Sequence, residues 1–361
     1  MSKAASSFLS KSVVFRCVRA AIAGGSVLAA GLATSAVATA EITDPGAWRL
    51  TPELQRLQAA SCPDITQKGD GEALHLGLTP LPLSDIAGPA ALIGATLSGA
   101  WELASTHAEF GGLSGLVVMP DGNLLAVGDN GLFISLEVDP ETQAPTGFAR
   151  LAPLRDAAAQ PFRKRRQRDA EGLAFQYGVA LVSFEHDHRI LAYHIGACGL
   201  DARGIDLMPL RTRQDGVRLM PNLGAEALSL SPDASLRVGV EARGQNGAVT
   251  GRVRRDGQLE DLRWSQPPAL YLLTGHDQAD GLTAMLFRAY DPVRGNRILA
   301  TVSDANGLIA DIRLDAAGPV DNFEGIAIGR RPGSGYRLWL ISDDNFNPSQ
   351  RTLLFAFDLG L

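Results

Sequence analysis

The sequence predicts an all-β fold, a β-propeller with hairpin blades, from a recurring short motif, a regular partner to that motif, and little helical periodicity. The motif is an acid or hydroxyl, a small residue, and an aliphatic residue that opens a strand. It reads Ser114-Gly115-Leu116, Glu171-Gly172-Leu173, Glu226-Ala227-Leu228, Asp280-Gly281-Leu282 and Glu324-Gly325-Ile326. Successive copies lie 57, 55, 54 and 44 residues apart, close to the roughly 40–50 residues of a propeller blade. The partner is a second acid 14 to 19 residues on, namely Asp129, Glu185, Glu241 and Asp343. Turn chemistry separates the two: Pro120-Asp121-Gly122, Tyr177-Gly178, Pro232-Asp233-Ala234 and Pro332-Gly333-Ser334. Two apolar strands around such a turn read as an antiparallel hairpin.

In chain order, residues 1–40 come first. Lys3, Lys11, Arg16 and Arg19 precede nineteen uncharged residues, Ala20 to Ala38, and the small-residue run Ala36-Val37-Ala38-Thr39-Ala40. That is the pattern of a secretory signal peptide, cleaved after Ala38 or Ala40, and it predicts a periplasmic or secreted protein. Few large apolar residues lie in the segment, which weakens an uncleaved anchor. No other run is long and apolar enough to span a bilayer. Cleavage removes four cations and Cys17, leaving net charge −10, with Cys62 and Cys198 in an oxidising compartment. Whether those two pair is open at this point. Residues 41–104 form an N-terminal segment contributing strands, and residues 105–361 carry the repeats. Residues 70–110 supply the remaining strands, which with five motif copies indicates six blades, with five as the alternative.

Composition bounds the rest. The 361 residues are 45% apolar and 20% charged, enough to bury a core and too apolar for a disordered chain. A formal charge of −6 argues against a general nucleic-acid binder. Three cysteines exclude a disulfide scaffold or a cysteine-rich zinc module.

Inner strands of a propeller converge on a central channel. Glu171, Glu226, Asp280 and Glu324 should therefore line one mouth, with Glu185, Glu241 and Asp343 beside them. Crowded carboxylates raise one another's pKa or hold a cation, and an all-oxygen set favours Ca²⁺. The expected ligands are Glu171, Glu185, Glu226, Asp280 and Glu324, with further oxygens from Asp321-Asn322 and Asp343-Asp344-Asn345. Acids at hairpin ends can also simply cap turns or pair with Arg189, Arg243 or Arg351. Gly112-Leu113-Ser114-Gly115-Leu116 lacks the last glycine of a serine-hydrolase elbow. His186-Asp187-His188 reads as a blade-end loop with solvated side chains. The basic run Arg163 to Arg168 reads as a solvated loop or as a grip for an anionic substrate.

Several motifs carry a family resemblance: Phe110-Gly111-Gly112-Leu113-Ser114, Asp169-Ala170-Glu171-Gly172, Val182-Ser183-Phe184-Glu185 with His188-Arg189-Ile190, Asn222-Leu223-Gly224-Ala225-Glu226, Asp321-Asn322-Phe323-Glu324-Gly325, and the closing Ile341-Ser342-Asp343-Asp344-Asn345-Phe346-Asn347-Pro348. Together they resemble the phytase-like family ("esterase-like activity of phytase") of exported bacterial proteins, over about residues 105–361. The resemblance implies a β-propeller, an extracytoplasmic location, and hydrolysis of phosphate or carboxylic esters. Leu286-Phe287-Arg288 departs from the Leu-Glu-Arg of many relatives, losing an acid in the fourth blade.

The leading expectation is a Ca²⁺-dependent hydrolase of a small anionic ester, with phosphomonoesters favoured. Glu171, Glu324 and Asp343 are the expected catalytic residues, and Arg166, Arg168, Arg189 and Arg351 the expected substrate-binding residues. A lactonase-type propeller and a non-catalytic, calcium-stabilised binding propeller of the cell envelope are the alternatives.

Overall fold

The computed structural model describes residues 46–62, 69–214, 216–221, 223–241, 247–315 and 318–361. The signal-peptide segment with its cleavage positions, Asn222 and Arg243 lie outside the described residues. The strands build five antiparallel sheets of four or five strands, with a two-stranded ribbon at residues 213–218. Each sheet is one blade. The innermost strands of blades 1 to 5 are Leu113–Val118, Ala170–Gln176, Ala227–Leu230, Leu272–Ala279 and Asn322–Arg330. They pack on one another in that order, and the fifth returns to the first. The propeller is therefore five-bladed.

Residues 72–104 build no sixth blade. Glu72–His75 adds an outer strand to blade 1, and Leu92–Ile93 adds one to blade 4. Gly77–Pro80 and Ala95–Ala104 complete blade 5 beside Thr352–Leu359. Strands from both ends of the described chain thus interleave in one sheet. That sheet closes the ring.

The repeated glycine has a packing cause. A Cβ on Gly115 would stand 2.7 Å from the Glu171 carbonyl oxygen of blade 2. One on Gly275 would stand 2.8 Å from the Glu324 carbonyl of blade 5, and one on Gly325 3.1 Å from Leu116 Cβ of blade 1. Neighbouring innermost strands approach too closely for a side chain there. The sequence repeat is the imprint of that approach.

Buried apolar residues form five clusters, one in each seam between neighbouring blades. Four seams hold fifteen or more fully buried residues among those described. The seam between blades 3 and 4 holds five: Ala227, Ala248, Leu273, Phe287 and Leu299. A hydrogen bond between Ser229 Oγ and His276 Nδ1 (2.7 Å) also crosses that seam. Burial depresses the His276 pKa to about 3, so the ring is neutral there.

Cys62 and Cys198 are joined in a disulfide, with Cα atoms 5.6 Å apart. It ties the helix Leu54–Ser61 to the end of the short helix Ile195–Cys198 on blade 2. Among the described residues, no helix is long and apolar enough to cross a membrane.

Candidate active site at the channel mouth

Four of the five innermost strands begin with an irregularity. The pairing register breaks at Ser114 in blade 1, between Ala170 and Leu173 in blade 2, at Thr274 in blade 4 and at Glu324 in blade 5. A β-bulge re-aims the extra side chain. Placed just before the close-packed small residue, it puts Ser114, Glu171, Thr274 and Glu324 in equivalent positions around the channel, and Glu226, directly before Ala227 of the regularly paired blade 3, lines the same channel. Below them the channel narrows to a cavity of about 10 Å³, room for one water at most. Reactants reach this ring from the mouth.

Asp280 is not part of it. Asp280 and Gly281 have φ of 49° and 85° and form the two-residue turn between paired Ala279 and Leu282. Both central residues of a type I′ hairpin turn need positive φ, and Asp-Gly suits it. This turn imitates the acid-glycine motif in sequence. It lies at the opposite end of blade 4, where Asp280 is exposed and bound to Arg330 at 2.7 Å. Thr274 holds the corresponding ring position.

A second ring comes from the ends of the adjacent strands. The amides of Asp129, Glu185 and Glu241 donate to the carbonyls of Gly112, Asp169 and Gly224, each two residues before a ring position. Asp343 pairs with Asn322, and Arg288 with Leu272, at the same register. Four blades therefore present an acid and blade 4 presents Arg288. Its guanidinium lies 3.3 Å from Glu324 Oε1. Glu324 also accepts from Ser114 Oγ (3.3 Å) and Asn322 Nδ2 (2.9 Å), and Asn322 Nδ2 reaches Asp343 at 3.3 Å.

Asp169 joins the site from two residues before Glu171. His186 Nε2 lies 3.0 Å from Asp169 Oδ2 and 3.7 Å from Glu185 Oε2. One ligand atom from each of these three falls within 4.8 Å of the others, so they form a triad able to hold a metal ion. The expectation of solvated histidines is corrected here. His186 faces carboxylates, and His188 is only 5% exposed, its pKa lowered by burial.

The electrostatics are those of crowded acids. Glu171 is raised well above the usual carboxylate range by burial, then by Glu226 and Glu324. Glu226 is raised likewise by burial, then by Glu241 and Glu185, and Asp343 by burial and Glu324. Burial lifts Asp129 and Glu185 to about 7, with Asp169 the largest charged contributor to each. Burial also raises Asp169 itself, against the pull of His186, Arg165 and Arg168. Yet Glu171, Glu226 and Glu324 are only half-buried, because water reaches them through the mouth. The Oδ1 atom of Asp129 is buried with no hydrogen-bond partner among the described residues.

The expected arginines scatter. Arg168 lies beside Asp169, and Arg165 acts on Asp129, Asp169 and Glu185, whereas Arg166 is exposed. Arg351 stands 3.8 Å from Asp321 and 3.9 Å from Glu102. Arg189 stacks on Phe184 and Phe162, 4.3 and 5.2 Å from their ring centres, in a cavity on the flank of blade 2. Sequence reasoning missed Asp169 and His186 as a pair. The available signal was adjacency in the chain, since Asp169 lies two residues before Glu171 and His186 directly follows Glu185.

The family model described as "Phytase-like: Esterase-like activity of phytase" matches residues 108–346. The chain belongs to this family. No curated protein matches it significantly in sequence. Among solved structures, the PQQ-bound aldose sugar dehydrogenase of Streptomyces coelicolor is similar over 75% of this chain and all of its own, at 13% identity and a TM-score of 0.40. Glutaminyl cyclase of Myxococcus xanthus is similar over 73% of this chain and 97% of its own, at 17% identity and a TM-score of 0.38. The GH43_1 enzyme of Xanthomonas citri is similar over 73% and 90%, at 11% identity and a TM-score of 0.43.

Proposed function

We propose that this phytase-like propeller hydrolyses a small anionic ester, with phosphomonoesters favoured, using a divalent cation at the channel mouth. The observation that carries the reading is the convergence of Asp169, Glu171, Glu185, Glu226, Glu324 and Asp343 on one opening. Asp129, with its unpartnered buried oxygen, lies beside them. So many carboxylates cannot all ionise side by side without a cation. The donor set fits one. Asp169, Glu185 and His186 supply the triad, Glu171 and Glu226 add oxygens, and the predominance of carboxylate favours Ca²⁺. When bound, such an ion polarises an ester oxygen and acidifies bound water.

The protein's own groups divide the remaining work. Glu324, oriented by Ser114, Asn322 and Arg288, accepts the proton of the attacking water. Asp343, whose carboxyl is raised by burial and by the neighbouring Glu324, donates to the leaving oxygen as general acid. Arg165, Arg168 and Arg288 supply positive charge for an anionic substrate. The leader read at residues 1–40 makes an extracytoplasmic location part of the proposal.

The test is phosphomonoester hydrolysis by chelator-stripped protein as Ca²⁺ is restored. Turnover should return with the cation and be lost in Glu324→Gln, whose fold should be intact. If that variant keeps its turnover, the assignment fails. A cation that raises the melting temperature with no hydrolysis of phosphomonoesters or lactones would make the ring a structural cation site on a binding propeller.

A further inference from the structure

A cavity of about 630 Å³ opens on the outer flank of blade 2, outside the carboxylate rings. Its walls are residues 156–167, the start of the third strand Arg189–Tyr193, and the fourth strand Ile205–Pro209. That volume is in the range of small-molecule sites. Its charges are unevenly satisfied. Arg189 is consumed internally, since it donates to Asp187 Oδ2 at 3.1 Å and to the Gln167 carbonyl at 2.5 Å. The two aromatic rings beside it fix its plane. Asp156 Oδ1 is likewise occupied by the amides of Ala158 and Gln160, both at 2.9 Å.

What remains on the walls is different. The exposed side chains of Arg163 and Lys164 have no ion-pair or hydrogen-bond partner among the described residues, although both line the cavity. Asp206 faces the same space, where its charge acts on Arg189, and its side chain has no hydrogen-bond partner among the described residues. The cavity thus offers two cations without an ion-pair partner, the Asp206 carboxylate, the second carboxylate oxygen of Asp156, and an apolar patch from Phe162 and Leu191. A purely apolar ligand would strand those charges. A neutral sugar would leave both cations unmatched.

We propose that this flank cavity binds a hydroxylated organic anion, a polyol or sugar carrying one carboxylate or phosphate. The anionic group sits on Arg163 and Lys164, as charge-assisted hydrogen bonds favour. Hydroxyls donate to Asp206, and the carbon skeleton covers Phe162. This site does not depend on the hydrolase reading, because no mouth carboxylate lines it.

Titration calorimetry of the purified protein in chelator, with glucuronate, glucose 6-phosphate and glucose as probes, tests the site. One or both anionic sugars should bind at least about tenfold more tightly than glucose. Whichever binds better identifies carboxylate or phosphate as the recognised group. Arg163→Ala/Lys164→Ala should weaken that binding about tenfold or more, and Asp206→Asn should reduce it. Glu226→Gln, at the mouth, should leave it unchanged. Three results would each overturn the proposal: no binding of either anion, equal binding of glucose, or loss in Glu226→Gln with retention in the double variant. A circular-dichroism melt shows that each variant is folded.

Discussion

Loading the mouth with a cation should expel protons, and the number can be worked from the acids that crowd it. Asp129 and Glu185 titrate at about 7, so at pH 7 each is about half protonated and the pair carries about one proton. Burial first, and then neighbouring carboxylates, also raise Glu171, Glu226 and Asp343 above the usual carboxylate range. A cation ligated by carboxylate must displace such protons. We therefore expect Ca²⁺ binding at pH 7 to release at least about one proton, the one that Asp129 and Glu185 carry between them. Calorimetric titration of Ca²⁺ in two buffers of different ionisation enthalpy, such as Mops and Tris, reads that number from the difference in heat. For each proton released, affinity should also rise about tenfold per pH unit near neutrality. Cation binding with no buffer dependence would show that these carboxylates are already ionised in the free protein. The account of the mouth given above would then be wrong.

Three further outcomes follow from the same structure. Each of these acids has a folded pKa above its unfolded value, so the native state keeps protons that the unfolded chain releases above pH 4 to 4.5. Stability of the cation-free protein should therefore fall as pH rises from about 4.5 through 7, and Ca²⁺ should offset the fall. Melting curves at pH 5 and 8, with and without Ca²⁺, check this. Gly325→Ala should cost about 1–3 kcal/mol by overpacking, because its Cβ would stand 3.1 Å from Leu116 Cβ and from the Ser114 carbonyl. A denaturant titration with an unchanged midpoint would remove the packing explanation of the repeat. Cys62→Ser should lower stability by about 2–5 kcal/mol, since the bond closes a separation of 136 residues, and reductant should no longer shift the melt of that variant.

Much of this architecture was readable in the residues, for a definite reason. Glycine recurs where the innermost strands touch, and an acid precedes it where the bulge turns a side chain into the channel, so packing and site left one joint mark. The hairpin partners Glu185, Glu241 and Asp343 were legible because tight turns fix register. Two things escaped. Asp280-Gly281 carries the same two letters for a different purpose, the positive φ of a tight turn, and no local pattern separates these uses. Thr274, which holds the ring position, has no charge to draw attention. The choice of five blades over six escaped because the strands at 72–104 are shared among three blades, two of them at edges more than two hundred residues away, and such pairings leave no periodic trace. Arg288 was visible as a departure from the acidic pattern, but only the register places it opposite Glu324.

The unequal seams give the ring a preferred place to give way. Four blade junctions are zipped by large apolar clusters, and blade 5 is locked by strands from distant parts of the chain. Among the described residues, the junction of blades 3 and 4 holds five buried apolar residues, with Tyr271 and Met285 partly buried against them, and a hydroxyl–imidazole hydrogen bond. A closed hoop flexes at its weakest joint. Breathing of this molecule should therefore spread Glu226 from Thr274 and Arg288 first, while the Asp169–His186 side stays rigid. Opening at that joint would widen the mouth on the blade 4 side, where Phe287 and Leu273 pack in the seam, and leave the blade 1 and 2 side in place.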